Sequence, residues 1–270
     1  MTAHAHMPLR QQKLENAKKL GVLSLSEHKL ESLPPQLFDS GLLKKLRTLD
    51  LSKNKLESLS QLGMLTEIKT LNCDDNLLPA GSLDPVSKLQ KLQVLSVARN
   101  KLGTNATSKF LPLQLPASLK QLSLASNAFS SVPRPVISAS LVRLEKLDLS
   151  HNHLATVPEE ISNLAKLQEL LLDGNTIVSL PDSIGQLKQL KVLSLRQNQI
   201  TVTSTTFTDK NPQPLPAVIF TKTALIDLNL HGNRLSNTQL NSFDGFQQFL
   251  DRRQKVKSKT LTNLDVCGLE

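Results

Sequence analysis

At 270 residues the chain fits one or two domains, and its 8 Phe with no Trp or Tyr exclude an interior built on aromatic rings. Leucine and other aliphatic side chains must fill the core, while the formal charge of +9 permits acidic partners, nucleic acid or anionic lipid without specifying a fold. No stretch approaches eighteen apolar residues and no signal-like apolar run opens the chain, so we expect a cytoplasmic protein, nuclear or membrane-peripheral at the margin, with no transmembrane segment.

Residues 1–19 form a tail and cap. His6 to Lys19, HMPLRQQKLENAKK, are good helix formers, with Leu9 and Leu14 as inward contacts. From 20 to 241 one template recurs: three leucines spaced three and two apart, an asparagine three residues on, and an apolar residue two beyond that. The first copy is Leu20, Leu23, Leu25, His28 and Leu30, with histidine in the asparagine place. The next four place Asn54, Asn76, Asn100 and Asn127 there, and Cys73 fills the third leucine position of the Asn76 copy. The sixth, LEKLDLSHNHL from Leu144 to Leu154, is the most regular, and Asn175, Asn198 and Asn233 mark the last three.

The spacing has a physical reason. On a short strand Leu147 and Leu149 point to one side while Lys146, Asp148 and Ser150 point to the other. Asn152 then suits a sharp turn, because its amide bonds backbone groups that no sheet ladder satisfies. Stacked copy on copy, the eight asparagines form a buried polar ladder. The return limbs VPEEISNLAKL and LPDSIGQLKQL open on proline and repeat apolar residues at helical spacing, which predicts short helices or 3₁₀ turns.

Residues 201–216, TVTSTTFTDKNPQPLP, lengthen one copy, and the composition is that of a loop, either a passive bulge or a binding insertion. Residues 242–270 form a second cap and a basic tail. Phe243, Phe246, Phe249 and Leu250 lie at helical spacing, predicting a helix from Ser242 to Thr260 over the last leucine layer. The run Arg252, Arg253, Lys255, Lys257 and Lys259 reads as a solvated cap or as a weak contact for anionic lipid or nucleic acid.

Nine copies at one period define an α/β solenoid: a curved horseshoe with a parallel concave sheet and helical caps. The chain resembles the intracellular leucine-rich repeat proteins, most closely the leucine-rich repeat-containing protein 57 family. The resemblance rests on ENAKKLGVLSLSEHKLESLP at Glu15 to Pro34, on LPAVIF and LNLHGNRL between Leu215 and Leu235, and on FDGFQQFLDRRQKVKSKTL at Phe243 to Leu261. It implies a non-catalytic scaffold; some relatives begin Met-Gly and look lipid-anchored, whereas this chain begins Met1-Thr2.

No nucleotide loop, nucleophile elbow or zinc cluster is legible, so we expect no enzyme, cofactor or metal. The expected function is to bind a protein, as a monomer, on the outward face of the sheet. Asp50, Asp74, Asp148, Glu169, Asp173 and Asp227 make that face mildly acidic, with Leu171 as an apolar anchor and Arg196 at its margin. An alternative is a regulatory subunit of a phosphatase or small-GTPase pathway; the lack of Trp and Tyr argues against it.

Overall fold

The computed structural model describes residues 11–103, 111, 114–202 and 213–257. The chain divides into two units, Met1–Ala128 and Phe129–Glu270.

The first unit opens with helix α1 (Gln11–Leu20) and carries five parallel strands in chain order: β1 (Val22–Ser24), β2 (Thr48–Asp50), β3 (Thr70–Asn72), β4 (Val94–Ser96) and β5 (Gln121–Ser123). Strands are only three residues long because the template offers one inward leucine between two outward residues before the chain turns. Leu23, Leu49, Leu71, Leu95 and Leu122 stand in register, and all are buried. The opposite wall is made by 3₁₀ turns at Pro35–Phe38, Leu62–Met64 and Asp84–Lys88, which bury Leu37, Leu62 and Val86. The short helix α2 (Ser40–Leu43) joins them, its first turn capped by the Asp39 carboxylate accepting from the Gly41 N–H at 2.7 Å.

Leu20 departs from expectation. It belongs to the cap rather than to the first leucine layer, and is 74% exposed. The cause is Gly21, whose φ of 71° and N–H bond to the Ala17 carbonyl (2.8 Å) end α1 one residue later than the template implies. Ala17 is buried and Leu14 half-buried, so α1 covers the first layer with a narrow stripe. Leu9 lies outside the described residues.

The second unit carries β6 (Lys146–Asp148), β7 (Glu169–Leu171), β8 (Val192–Ser194) and β9 (Asp227–Asn229), again parallel and in chain order, with Leu147, Leu170, Leu193 and Leu228 in register. Its return limbs are 3₁₀ turns at Arg134–Ile137, Glu159–Asn163 and Asp182–Gln186, then helix α3 (Ala217–Thr221). The cap is two helices rather than the single one expected from Ser242: α4 (Asn237–Asn241) and α5 (Phe246–Lys257). Ser236 and Gln239 form a reciprocal capping box that starts α4 early, and Phe243 sits in the turn between the helices. Phe246 and Phe249 close on Phe220 of α3, with ring centroids 5.5 and 6.1 Å away, and all three rings are buried with Phe243.

Candidate protein-binding surface

The asparagines tie each turn to the repeat before it. Asn76 Nδ2 donates to the carbonyls of Cys73 and Leu51, one in its own repeat and one in the repeat before (both 3.0 Å), while its Oδ1 accepts from the Leu56 N–H at 3.0 Å. Asn54, Asn100 and Asn127 repeat this in the first unit. Asn175 and Asn198 do so in the second, as does Asn233, which is only half-buried. Asn152 donates to Leu149 and accepts from the Phe129 N–H. The histidine in the first copy takes no such role: His28 is exposed, and its Nδ1 bonds the Ser26 carbonyl at 2.6 Å. Cys73 packs as a small core residue, and burial pushes its thiol pKa far up.

The residue before each asparagine, or before His28 in the first copy, belongs to a second row that the sequence reading missed. Glu27, Lys53, Asp75, Arg99, Ser126, His151, Gly174, Gln197 and Gly232 all adopt positive φ. Only the two glycines signalled it. In the first unit the row alternates in sign: Lys53 bonds Glu27 at 2.7 Å, and Arg99 grips Asp75 through two bonds of 2.6 and 2.8 Å. These pairs lower the pKa of Glu27 and Asp75 and raise that of Lys53 and Arg99, through hydrogen bonding first.

On the first unit's outward face, Asp50 accepts from Ser24 Oγ and the Ser52 N–H (both 3.0 Å), and Asp74 accepts from Ser96 Oγ (2.6 Å) and the Ala98 N–H (2.7 Å). These carboxylates fasten neighbouring strands and turns to one another. Ser52, Ala98 and Ala125, two residues beyond the outward Asp50, Ser96 and Ser123, are buried. The surface is largely hydrogen-bonded within itself, with Val22 and Val94 as separate apolar side chains on β1 and β4.

The second unit differs. In register, Asp148 faces Leu171 and Leu171 faces Ser194, while Lys146 faces Glu169 and Glu169 faces Val192. Lys146 and Glu169 form an ion pair of 2.6 Å, and Leu171 and Val192 are half-buried apolar side chains on the same face. Asp148 Oδ1 accepts from the Ser150 N–H at 3.0 Å and Asp173 Oδ1 from the Arg196 N–H at 2.9 Å, so both carboxylates brace turns. Asp227 and the Arg196 side chain are exposed. Of the predicted face residues, Asp148, Glu169, Leu171, Asp173, Arg196 and Asp227 lie on these four strands or the turns directly after them, and Asp50 and Asp74 belong to the other unit.

The C-terminal basic run is in part structural. Arg252 donates through Nη1 to the Phe220 and Leu225 carbonyls (3.1 Å each) and through Nη2 to Phe220 again, with desolvation lowering its pKa. Arg253 is 6% exposed. Both therefore serve the cap, which leaves Lys255 as the exposed member of the basic run; the Lys257 side chain and Lys259 lie outside the described residues. Most of the 201–216 insertion, 203–212, is also outside them. Among the described residues no three His, Cys, Asp or Glu gather as metal ligands, and no helix is long and apolar enough to cross a membrane.

Parallel three-residue strands, an asparagine ladder and 3₁₀ return limbs define a leucine-rich repeat solenoid. Comparison with known proteins agrees: models described as leucine rich repeat match residues 117–177 and 45–65. Rat osteomodulin is 39% identical over 79 residues, 29% of this chain and 17% of that protein. Receptor-like protein 41 of Arabidopsis thaliana is 40% identical over 103 residues, 37% of this chain and 11% of that protein. The likeness thus spans under a fifth of either relative's length. Among solved structures, an internalin of Listeria monocytogenes superposes with a TM-score of 0.62 at 21% identity, covering 86% of this chain and 61% of that one. The ectodomain of the Arabidopsis receptor kinase GASSHO1, solved in complex with Casparian strip integrity factor 2, gives 0.56 at 29% identity, over 79% and 25%. The chain has the leucine-rich repeat fold.

Proposed function

We propose that this protein is a non-catalytic scaffold that docks a protein partner of basic or mixed character on the outward face of β6 to β9. One observation carries the reading: Leu171 and Val192 stand half-exposed on a face otherwise polar, ringed by Asp148, Asp173 and Asp227. The GASSHO1 ectodomain, with its bound partner, supports this use of a repeat array. Leu171→Arg, alone and with Asp148→Lys and Asp173→Lys, is the test. Affinity purification with mass spectrometry should lose specific partners in both variants at an unchanged melting temperature for the single one; the same set captured by all three proteins overturns the assignment. The same reading places the protein in the cytoplasm, alongside the leucine-rich repeat-containing protein 57 family, and the buried Cys73 thiol in a leucine position supports a reducing compartment. Fractionation that recovered the chain in secretory vesicles would refute that placement.

A further inference from the structure

The first unit's charge is concentrated on one flank. Met1–Ala128 holds 17 Lys and Arg against 10 Asp and Glu, a surplus of seven. The four residues leading into each of its strands read KKLG, KKLR, TEIK, QKLQ and ASLK, with eight cations and one acid, which accounts for the whole surplus. The rest of the unit is neutral. In the second unit the same segments, VRLE, AKLQ, KQLK and TALI, hold four cations and one acid.

Backbone bonds set these segments side by side: Arg47 N–H to the Gly21 carbonyl, Lys69 to Arg47, Gln93 to Lys69 and Lys120 to Gln93, each 2.7 to 2.8 Å. Neighbouring strands lie about 4.8 Å apart, so Arg47, Lys69 and Lys120 form a row about 15 Å long with Lys45 and Lys91 beside it. Lys45, Arg47, Lys69 and Lys91 are exposed and Lys120 half-exposed; among the described residues Lys45, Lys69 and Lys120 make no ion pair.

The row already holds one carboxylate. Glu67 reaches Lys91 at 2.5 Å on one side and Arg47 at 4.0 Å on the other, bridging cations from the segments before and after its own. Lys91 keeps its carboxyl below the usual range, with Arg47 and Lys69 adding attraction. A carboxylate is therefore what this geometry accommodates, and Lys45, Lys69 and Lys120 are the places left over.

We propose that the leading flank of β2 to β5 is a second docking surface, which takes a short, extended acidic segment of a protein partner. At about 3.3 Å per residue, a row of this length spans four or five extended residues. Nucleic acid fits less well: the patch is narrower than a duplex of about 20 Å and has no aromatic side chain on which to stack single-stranded bases.

The test uses the full chain and a fluorescein-labelled oligoglutamate peptide, followed by anisotropy at low and physiological salt. The wild type should bind, more weakly as salt rises. Lys45→Ser/Lys69→Ser/Lys120→Ser should weaken binding about tenfold, whereas Lys166→Ser/Lys188→Ser/Lys191→Ser, which removes equal charge from the second unit, should change it less than about twofold. Glu67→Gln releases Arg47 and Lys91 and should tighten binding about threefold. No binding by the wild type, or equal loss in both triple variants, overturns the proposal. Tighter binding of a charge-matched single-stranded oligonucleotide or of anionic vesicles overturns it in favour of those ligands.

Discussion

The two units solve the same repeat with different side chains. At the left-handed turn before each asparagine or, in the first copy, His28, the first unit places Glu27, Lys53, Asp75 and Arg99, tied in ion pairs, and then Ser126; the second places His151, Gly174, Gln197 and Gly232. The first unit is capped by α1, which buries Ala17, and the second by α3 and α5, which bury Phe220, Phe246 and Phe249. The difference teaches that the ladder and the leucine layers are common requirements, while caps and turns are free to vary and carry each unit's particular chemistry. Charge gathers on the first unit's flank; the second unit's face sets apolar Leu171 and Val192 on adjacent strands, whereas the first unit's outward Val22 and Val94 stand apart on β1 and β4.

The caps give the largest test. Phe249→Ala removes a fully buried ring and should cost about 3–5 kcal/mol in urea unfolding. Leu14→Ala on half-buried α1 should cost under about 1.5 kcal/mol, scaling with the smaller apolar area lost. Equal costs would mean the two caps are equivalent after all. Next comes the ladder. Asn100→Ala strands buried carbonyls and should cost about 1–3 kcal/mol, whereas Asn233→Ala on the half-buried last rung should cost about half as much, because water replaces part of what is lost. A melt that moves equally for both variants would show that burial does not grade the rungs.

Much of this was legible in the chain. Period and template are set by which side chains must point inward, so strands, leucine layers and asparagines followed from spacing alone. Leu20 misled because spacing cannot say whether a leucine ends a helix or begins a layer; the signal was Gly21, whose position only a left-handed turn explains. Phe220 escaped because its helix follows the irregular insertion, where no period runs. Arg252 and Arg253 read as surface charge, yet helix geometry turns them onto carbonyls at the end of α3 and into the cap. The outward aspartates were visible as a set. Their bonds to the next turn's N–H were not, because such bonds depend on turn geometry rather than residue type.

The turn row separates the units most finely, with smaller effects. Gly174 has φ of 63°, and a Cβ there would collide with the His151 imidazole, so Gly174→Ala should cost about 1–2 kcal/mol from the left-handed backbone, plus displacement of that ring. In the first unit the same position carries side chains throughout, four of them joined in ion pairs. Asp75→Asn should cost only a few tenths of a kcal/mol, since an exposed pair is screened by water and salt. Its pH signature has a definite sign. Arg99 depresses the folded carboxyl, so the stabilisation is present above the ordinary carboxylate range and disappears as pH falls through the depressed value. Wild type and Asp75→Asn should therefore differ at neutral pH and converge in acid. Convergence with rising pH instead would mean that the alternating row contributes through packing and not through charge.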